Sequence, residues 1–459
     1  MRRTNSFRQD RLHGFLYRTP SYRGRTPRRR YGPTAYAEAG MGERCWFGWI
    51  SVADPISSYL YYPLYFSLQA GDIVLGFQKR SNCAHDIFSP PEKIIKMAGT
   101  VDMLVCRELG GPYEIRRVRL GTLRDDELLV RIIATGGTTP VPLPLVGGHE
   151  GAGVVERIGS QVAHISPGDH VLLSFSTCGD CATCQRNMPA YCANIWKLNF
   201  LGTRTDGTKA YTDAIDGTEI SSHFFGQSSF AKKAIVRARS AILVAPDLPL
   251  QTLCVLGCTL QTGAGTVLNQ LQPRRGSSIA VFGAGAVGIA SILAARLTPD
   301  IKIIAVDVLA SKLQIAKTLG ALYTVNSTNK DPIAAILALT GGFGVERALD
   351  TTGNPEVIKT MLSVTAPDGI AASVGAPKIG TKIDIEPAIW ITRGVSYIGV
   401  HQGSSRPQEF IPRLIQLWAE GHLPVEKMIT KYNYTEIERA KSELQGGSCV
   451  KAVLLWDEE

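Results

Sequence analysis

The 459 residues suffice for two or three domains at about 100–200 residues each. No run of about 20 apolar residues is free of charge and proline; the densest stretch, Trp46 to Phe77, is broken by Asp54, Pro55, Pro63 and Asp72, so no membrane span is expected. The net charge of +9 sits in one place: residues 1–30 carry ten arginines against one acid, Asp10, and the remainder carries 39 basic residues (49 less ten) and 39 acidic ones (40 less one). A neutral body with a basic arm argues against a nucleic-acid binder, which needs a broad cationic surface studded with aromatics.

Residues 1–96 follow no pattern of elements and read as a disordered or spurious basic extension. The first thirty are rich in Arg, Tyr, Ser and Gly and are expected to be disordered alone. Their Arg-rich, acid-poor composition also fits a mitochondrial transit peptide, with a cytoplasmic location expected otherwise. The favoured reading is an extension ahead of a start at Met97, because strand-like sequence begins just after it.

From there the chain reads as an α/β protein. Short strands are predicted over Met103–Cys106, Tyr113–Val118, Glu127–Ala134, Gly151–Val155 and Asp169–Leu173, with turns at Gly110-Gly111-Pro112 and Asp125-Asp126. That spacing predicts a mostly β, barrel-like domain over 97–245. After Pro246 the texture alternates between β and α, which predicts a parallel sheet over 246–400. Its strands are Ile279–Phe282, Ile303–Val306, Tyr323–Val325, Arg347–Asp350, Ile370–Val374 and Ser396–Val400. Residues 401–459 return to the first domain. They carry a helix on Phe410, Leu414, Leu417 and Trp418, stopped by Gly421, and a closing strand over Lys451–Trp456.

Two motifs carry chemistry. The first is Gly283-Ala284-Gly285-Ala286-Val287-Gly288, between the run Ser278–Phe282 and a small-residue helix pattern over Ile289–Leu297. Gly283 makes the turn, Gly285 admits a pyrophosphate close to the backbone, and Gly288 lets helix and strand pack. The helix start offers free N–H groups to phosphate. Asp307 follows 19 residues after Gly288, where a carboxylate accepts hydrogen bonds from the ribose hydroxyls of NAD and repels a 2′-phosphate. The second motif is Cys178, Cys181, Cys184 and Cys192, spaced C-x2-C-x2-C-x7-C. Four thiolates on one loop (178–192) complete a tetrahedron with no open position, so this zinc site is structural.

In order along the chain stand Gly148-His149-Glu150-Gly151-Ala152-Gly153, Pro167-Gly168-Asp169-His170-Val171, the cysteine loop, Leu256-Gly257-Cys258 with Thr262-Gly263, the glycine turn, and Asp350-Thr351-Thr352-Gly353. Over about Met97–Trp456 this order resembles the zinc-dependent medium-chain alcohol dehydrogenases. The run Phe225-Gly226-Gln227-Ser228-Ser229-Phe230-Ala231 resembles their aryl- and benzyl-alcohol branch. The resemblance implies a GroES-like β-barrel catalytic domain and a Rossmann, doubly wound parallel-sheet domain for NAD. It implies His149 and Cys258 as ligands of a catalytic zinc, Glu150 beside the metal, and Thr262 near the nicotinamide. Lys312 would lie near the adenosine ribose and Lys451 at the pyrophosphate. The implied reaction interconverts a small-molecule primary alcohol, aryl or bulky, and its aldehyde by hydride transfer to NAD. A homodimer or homotetramer is also implied, its sheet extended across subunits near Ser396–Val400, with no nucleic-acid or membrane partner.

One departure from the family matters. Its Ala-Thr-Gly strand end normally runs into a segment that carries the first zinc cysteine and a proton relay. This chain reads Ala134-Thr135-Gly136-Gly137-Thr138-Thr139-Pro140 and goes almost directly to Gly148-His149-Glu150. The catalytic zinc loses an anchor, with Glu150 as a conceivable substitute ligand and Thr138 and Thr139 as conceivable relays. An alternative reading is therefore a catalytically impaired NAD-binding pseudoenzyme.

Overall fold

The computed structural model describes residues 99–137 and 142–456. The expectations for residues 1–96, Thr138 and Thr139 lie outside the described residues.

The barrel-like domain is built from β1 (Thr100–Cys106), β2 (Tyr113–Leu120), β3 (Glu127–Thr135), β4 (Leu145–Val146), β5 (Ala152–Ile158), β6 (His170–Leu173), β7 (Tyr211–Asp213), β8 (Glu219–Ile220), β9 (Lys233–Arg237) and β10 (Ala241–Val244). One five-stranded sheet runs β4-β1-β2-β7-β8. The second sheet holds β10-β6-β5-β3, with β9 also on β3. A bridge between Met103 and Ala231 and the Leu104 N–H to Phe230 carbonyl bond (2.9 Å) join the two sheets. Met103, Leu104, Val118, Leu128, Val130, Ile132, Val155, Val171 and Ile235 fill the core between them. Leu128, Val130 and Ile132, two residues apart on β3, share the inward face.

The parallel sheet consists of β11 (Ser278–Phe282), β12 (Lys302–Asp307), β13 (Tyr323–Asn326), β14 (Val345–Asp350), β15 (Thr365–Ser373) and β16 (Ser396–Gly399), in the order β13-β12-β11-β14-β15-β16. Every described pairing within it is parallel. The predicted strands all recur, β15 starting five residues early. Both faces are covered, which is why β11 is buried along its whole length and apolar from Ile279 to Phe282. Ile279 and Val281 point into one core with Ile289, Ile292 and Leu293, while Ala280 and Phe282 point into the other with Ile358 and Met361. The chain then returns through β17 (Ile429–Asn433) and β18 (Lys451–Leu455), and β18 pairs with the end of β3 at Ala134 and Thr135. This pairing brings Lys451's strand to the Gly136-Gly137 end. No helix among the described residues is long and apolar enough to cross a membrane.

Candidate functional site

The glycine turn performs the packing its spacing implies. Gly283 has φ +92°, a conformation that side chains resist. A Cβ on Gly288 would overlap the Gly283 carbonyl oxygen, so helix and strand meet at this point. A Cβ on Gly285 would meet nothing within 4 Å, leaving the backbone open to an approaching ligand. The helix spans Ala286–Ala295, three residues earlier than the apolar pattern implied, because Gly285 itself serves as N-cap with no side-chain cap. Its first N–H groups are therefore free for an anion. Asp307 ends β12 and braces the turn: Oδ2 accepts from the Ala284 N–H at 2.7 Å and Oδ1 from the Leu309 N–H at 2.9 Å. Lys312 follows in the helix Ala310–Thr318, half-buried, with the Gly447 turn packed against its aliphatic stem. These residues fit a dinucleotide: Asp307 is left half-exposed, with lone pairs for ribose hydroxyls.

Cys258 precedes the helix Thr259–Gly265. That helix lies on the dinucleotide helix, where Gly263 packs against Val287 and Ala290 and its carbonyl accepts from Ser291 Oγ at 3.2 Å. Thr262 is buried there, and its N–H donates to the Cys258 carbonyl at 2.8 Å. Glu150 joins this segment to His149. Fully buried, it accepts from the Thr259 N–H at 2.8 Å and forms an ion pair with Lys451. Burial alone would raise the Glu150 carboxyl, but Lys451 and its other contacts outweigh burial and hold it below the ordinary range. Burial pushes the His149 imidazole down to about 4 and the Cys258 thiol up to about 11. The His149 Nδ1 is buried without a geometrically good hydrogen bond.

The Glu150–Lys451 pair bears on two expectations. Glu150 is no free substitute ligand, since Lys451 and Thr259 engage its carboxylate. Lys451 is largely buried and pairs with Glu150. It does reach toward the cofactor side, because Lys451, Gly136, Gly137 and Ala286 line one cavity of about 190 Å³. Gly137 also lies against His149, where a Cβ would overlap the imidazole. The start of the dinucleotide helix thus borders this cavity through Ala286, and His149 lies against Gly137 in its wall.

Aromatic rings form the other side. Phe225 lies 4.6 Å from His149, ring to ring, tilted by 33°, and Phe224 lies edge-on at 5.2 Å. Phe200 packs on both, and Trp196 stacks on Phe200. Sequence reasoning used Phe225 only as a branch marker; the adjacent pair Phe224-Phe225 was the available signal for an apolar wall. It missed Gln402 altogether. Gln402 is buried in a left-handed turn (φ +49°), and its Nε2 donates to Cys258 Sγ at 3.4 Å while its Oε1 accepts from Gln261 Nε2 at 3.0 Å.

The four-cysteine loop is closed on itself. Sulfur atoms of Cys178, Cys181, Cys184 and Cys192 all lie within 4.8 Å of one another. The Cys192–Cys178, Cys181–Cys192 and Cys178–Cys184 separations are 3.4, 3.9 and 4.0 Å. A tetrahedron with Zn–S bonds near 2.3 Å has edges of roughly 3.8 Å, so this cluster fits zinc. The second implied zinc does not fit. Among the described residues, His149 and Cys258 belong to no group of three or more donors placed to share an ion.

Comparison with known proteins agrees with this architecture. The alcohol dehydrogenase GroES-like domain profile matches residues 115–246 and the zinc-binding dehydrogenase profile matches residues 286–420. Geraniol dehydrogenase of Castellaniella defragrans is 38% identical over 363 residues, covering 77% of this chain and 96% of that protein. An alcohol dehydrogenase zinc-binding domain protein from Burkholderia ambifaria superposes with a TM-score of 0.75 at 42% identity, covering 78% of this chain and 99% of its own. Benzyl alcohol dehydrogenase from Acinetobacter calcoaceticus superposes with a TM-score of 0.74 at 36% identity, covering 78% of this chain and all of its own (100%). The likeness runs through the barrel, the cysteine loop and the dinucleotide sheet together, and the chain therefore belongs to the zinc-dependent medium-chain alcohol dehydrogenase family.

Proposed function

We propose that this chain is an NAD-linked oxidoreductase that interconverts a primary alcohol, aryl or otherwise bulky, and its aldehyde. The carrying observation is the open glycine turn braced by Asp307, with the helix that follows Cys258 packed on the dinucleotide helix through Gly263. The relatives' names, geraniol and benzyl alcohol dehydrogenase, support the same chemistry and favour it over the impaired-pseudoenzyme reading.

The residues divide the work. The free N–H groups after Gly285 receive the pyrophosphate, and Asp307 accepts from the adenosine ribose hydroxyls. Lys312 flanks that ribose. Thr262, one helical turn from Cys258 and packed on the cofactor helix, borders the nicotinamide. Phe224 and Phe225 exclude water and seat an aryl or branched apolar body beside His149. Orienting the carbinol carbon against the nicotinamide ring contributes a large share of the rate in such transfers. The cysteine loop would hold a structural zinc.

For assembly, β16 lies at the open edge of the parallel sheet, a suitable place for a second copy to extend it into a dimer or tetramer. The test of function is a panel of alcohols with NAD in zinc-supplemented buffer, followed at the NADH absorbance. Preference for aryl and branched alcohols over ethanol is expected; indifference to all primary alcohols would refute the reading.

A further inference from the structure

The last helix, Ile437–Gly446, carries Ile437, Ala440, Lys441 and Leu444 at helical spacing, so they share one face. That face borders the cavity of about 190 Å³, with Tyr113, Phe230 and Leu454 among the residues on its other sides. Ala440 is the short side chain in the helical row. The Tyr113 and Phe230 rings meet edge to face, with centroids 5.5 Å apart and planes at 74°. The same edge-to-face geometry suits a third ring set against them.

The polar groups at the border are already engaged. Lys441 Nζ donates to Glu438 at 2.8 Å and to the Gly111 carbonyl at 3.3 Å, and it lies 5.6 Å from the centre of the Tyr113 ring. Lys451 pairs with Glu150. The Gly136 carbonyl accepts from the His149 N–H at 3.1 Å. Water settles in a cavity only where several polar partners are free to hold it. An anion would have to draw an ammonium out of an existing pair. Protein interiors keep few voids larger than a water molecule, and an apolar cavity of about 150 Å³ takes up benzene while staying dry. The space here is of that order. Phe224 and Phe225, the rings beside His149, do not line it.

We infer that this cavity is a binding site for a neutral molecule of one aromatic ring, separate from the aromatic wall beside His149. The ring packs against Tyr113 and Phe230 on one side and against Ile437 and Leu444 on the other. Ala286, the first residue of the dinucleotide helix, also lines the cavity, so any effect of the occupant on cofactor affinity is matched by an equal effect of the cofactor on the occupant. The inference does not depend on the proposed alcohol chemistry, because binding is read on the chain alone.

The test titrates the full chain, without cofactor, with fluorobenzene followed by fluorine NMR, and records the melting midpoint of each sample. Saturable binding and a raised midpoint are expected. Ala440→Phe fills the cavity from the helix and should weaken this binding at least ~tenfold, while Phe225→Ala should leave it at the parent value. Leu444→Ala widens the cavity and should improve binding of naphthalene about tenfold over the parent, which keeps the inference testable where Ala440→Phe does not fold. Benzoate should bind at least ~tenfold more weakly than fluorobenzene. Absence of saturable binding to the parent would overturn the inference. So would parent affinity in a folded Ala440→Phe, loss of binding in Phe225→Ala, no gain for naphthalene in Leu444→Ala, or benzoate bound as tightly as fluorobenzene. NADH binding, titrated separately on the parent, reports on the dehydrogenase reading and leaves this result standing either way.

Discussion

Lys451→Met should expose how tightly structure and cofactor binding are joined at Glu150. In the folded chain the Lys451 side chain is 10% exposed and that of Glu150 is 0% exposed, and each is the other's counter-charge. Removing the ammonium leaves the carboxylate with the single N–H of Thr259 at 2.8 Å. Breaking one side of a buried ion pair costs about 3–5 kcal/mol, because the remaining charge stays desolvated. The deprived carboxyl then rises in pKa, so the loss should shrink as the pH falls toward 5. Glu150→Gln in the same chain removes the orphaned charge, and the double variant should recover to within about 1 kcal/mol of the parent. Cofactor affinity should behave differently. Lys451 shares its cavity with Ala286 at the dinucleotide helix. Loss of one charge-assisted contact to phosphate is worth about 1.5–3 kcal/mol, so NADH should bind roughly tenfold to a hundredfold more weakly in both the single and the double variant. Urea unfolding midpoints and calorimetric NADH titration measure the two effects. A double variant as unstable as the sum of the singles would refute the pairing, and recovery of NADH affinity in it would refute the cofactor role.

Three further outcomes follow from the geometry. Gly288→Ala places a Cβ on the Gly283 carbonyl and should cost about 1–3 kcal/mol and at least ~tenfold in NADH affinity, with the loop zinc retained; unchanged NADH binding by fluorescence titration would show that the turn does not seat the cofactor. Phe225→Ala removes the ring 4.6 Å from His149 and should raise KM for benzyl alcohol about tenfold while leaving short alkanols nearly unchanged, as initial rates would report; an equal effect on both would contradict the aromatic wall. Acid should destabilise the barrel in two stages. His223 is pushed down by burial, so the unfolded chain takes up its proton first as the pH falls below about 6.5. Glu127 is held at about 2, because bonds from His223 and Arg204 outweigh its burial; its stabilisation, roughly 3 kcal/mol, is present above about pH 4.5 and lost between there and 2. Denaturation midpoints from pH 8 to 3 should decline accordingly, and Glu127→Gln should flatten the lower stage; a midpoint rising with acid would contradict both assignments.

What was legible in the sequence was what short-range chemistry dictates. The glycine turn could be read because its three glycines answer to backbone constraints within six residues, and the cysteine loop because its ligands lie within fifteen. The two-sided apolar run at β11 announced a covered parallel strand. Boundaries slipped where a glycine acts as cap: Gly285 opens the helix three residues before the apolar pattern starts. Long-range pairings were invisible. Nothing local in Lys451 marks it as the counter-charge of Glu150, and nothing near Glu127 points to Arg204 and His223, which bond it at 2.6 and 3.0 Å across 77 and 96 residues. Gln402 escaped for the same reason, since its left-handed backbone and its bond to Cys258 arise from tertiary packing.

The most direct measurement follows the transferred hydride. The full chain, supplied with zinc, is incubated with NADH deuterated at the nicotinamide C4 position and an aryl aldehyde, and the alcohol formed is analysed by mass spectrometry and proton NMR. One deuterium at the carbinol carbon is the expected result, and no deuterated alcohol above the protein-free control would contradict it.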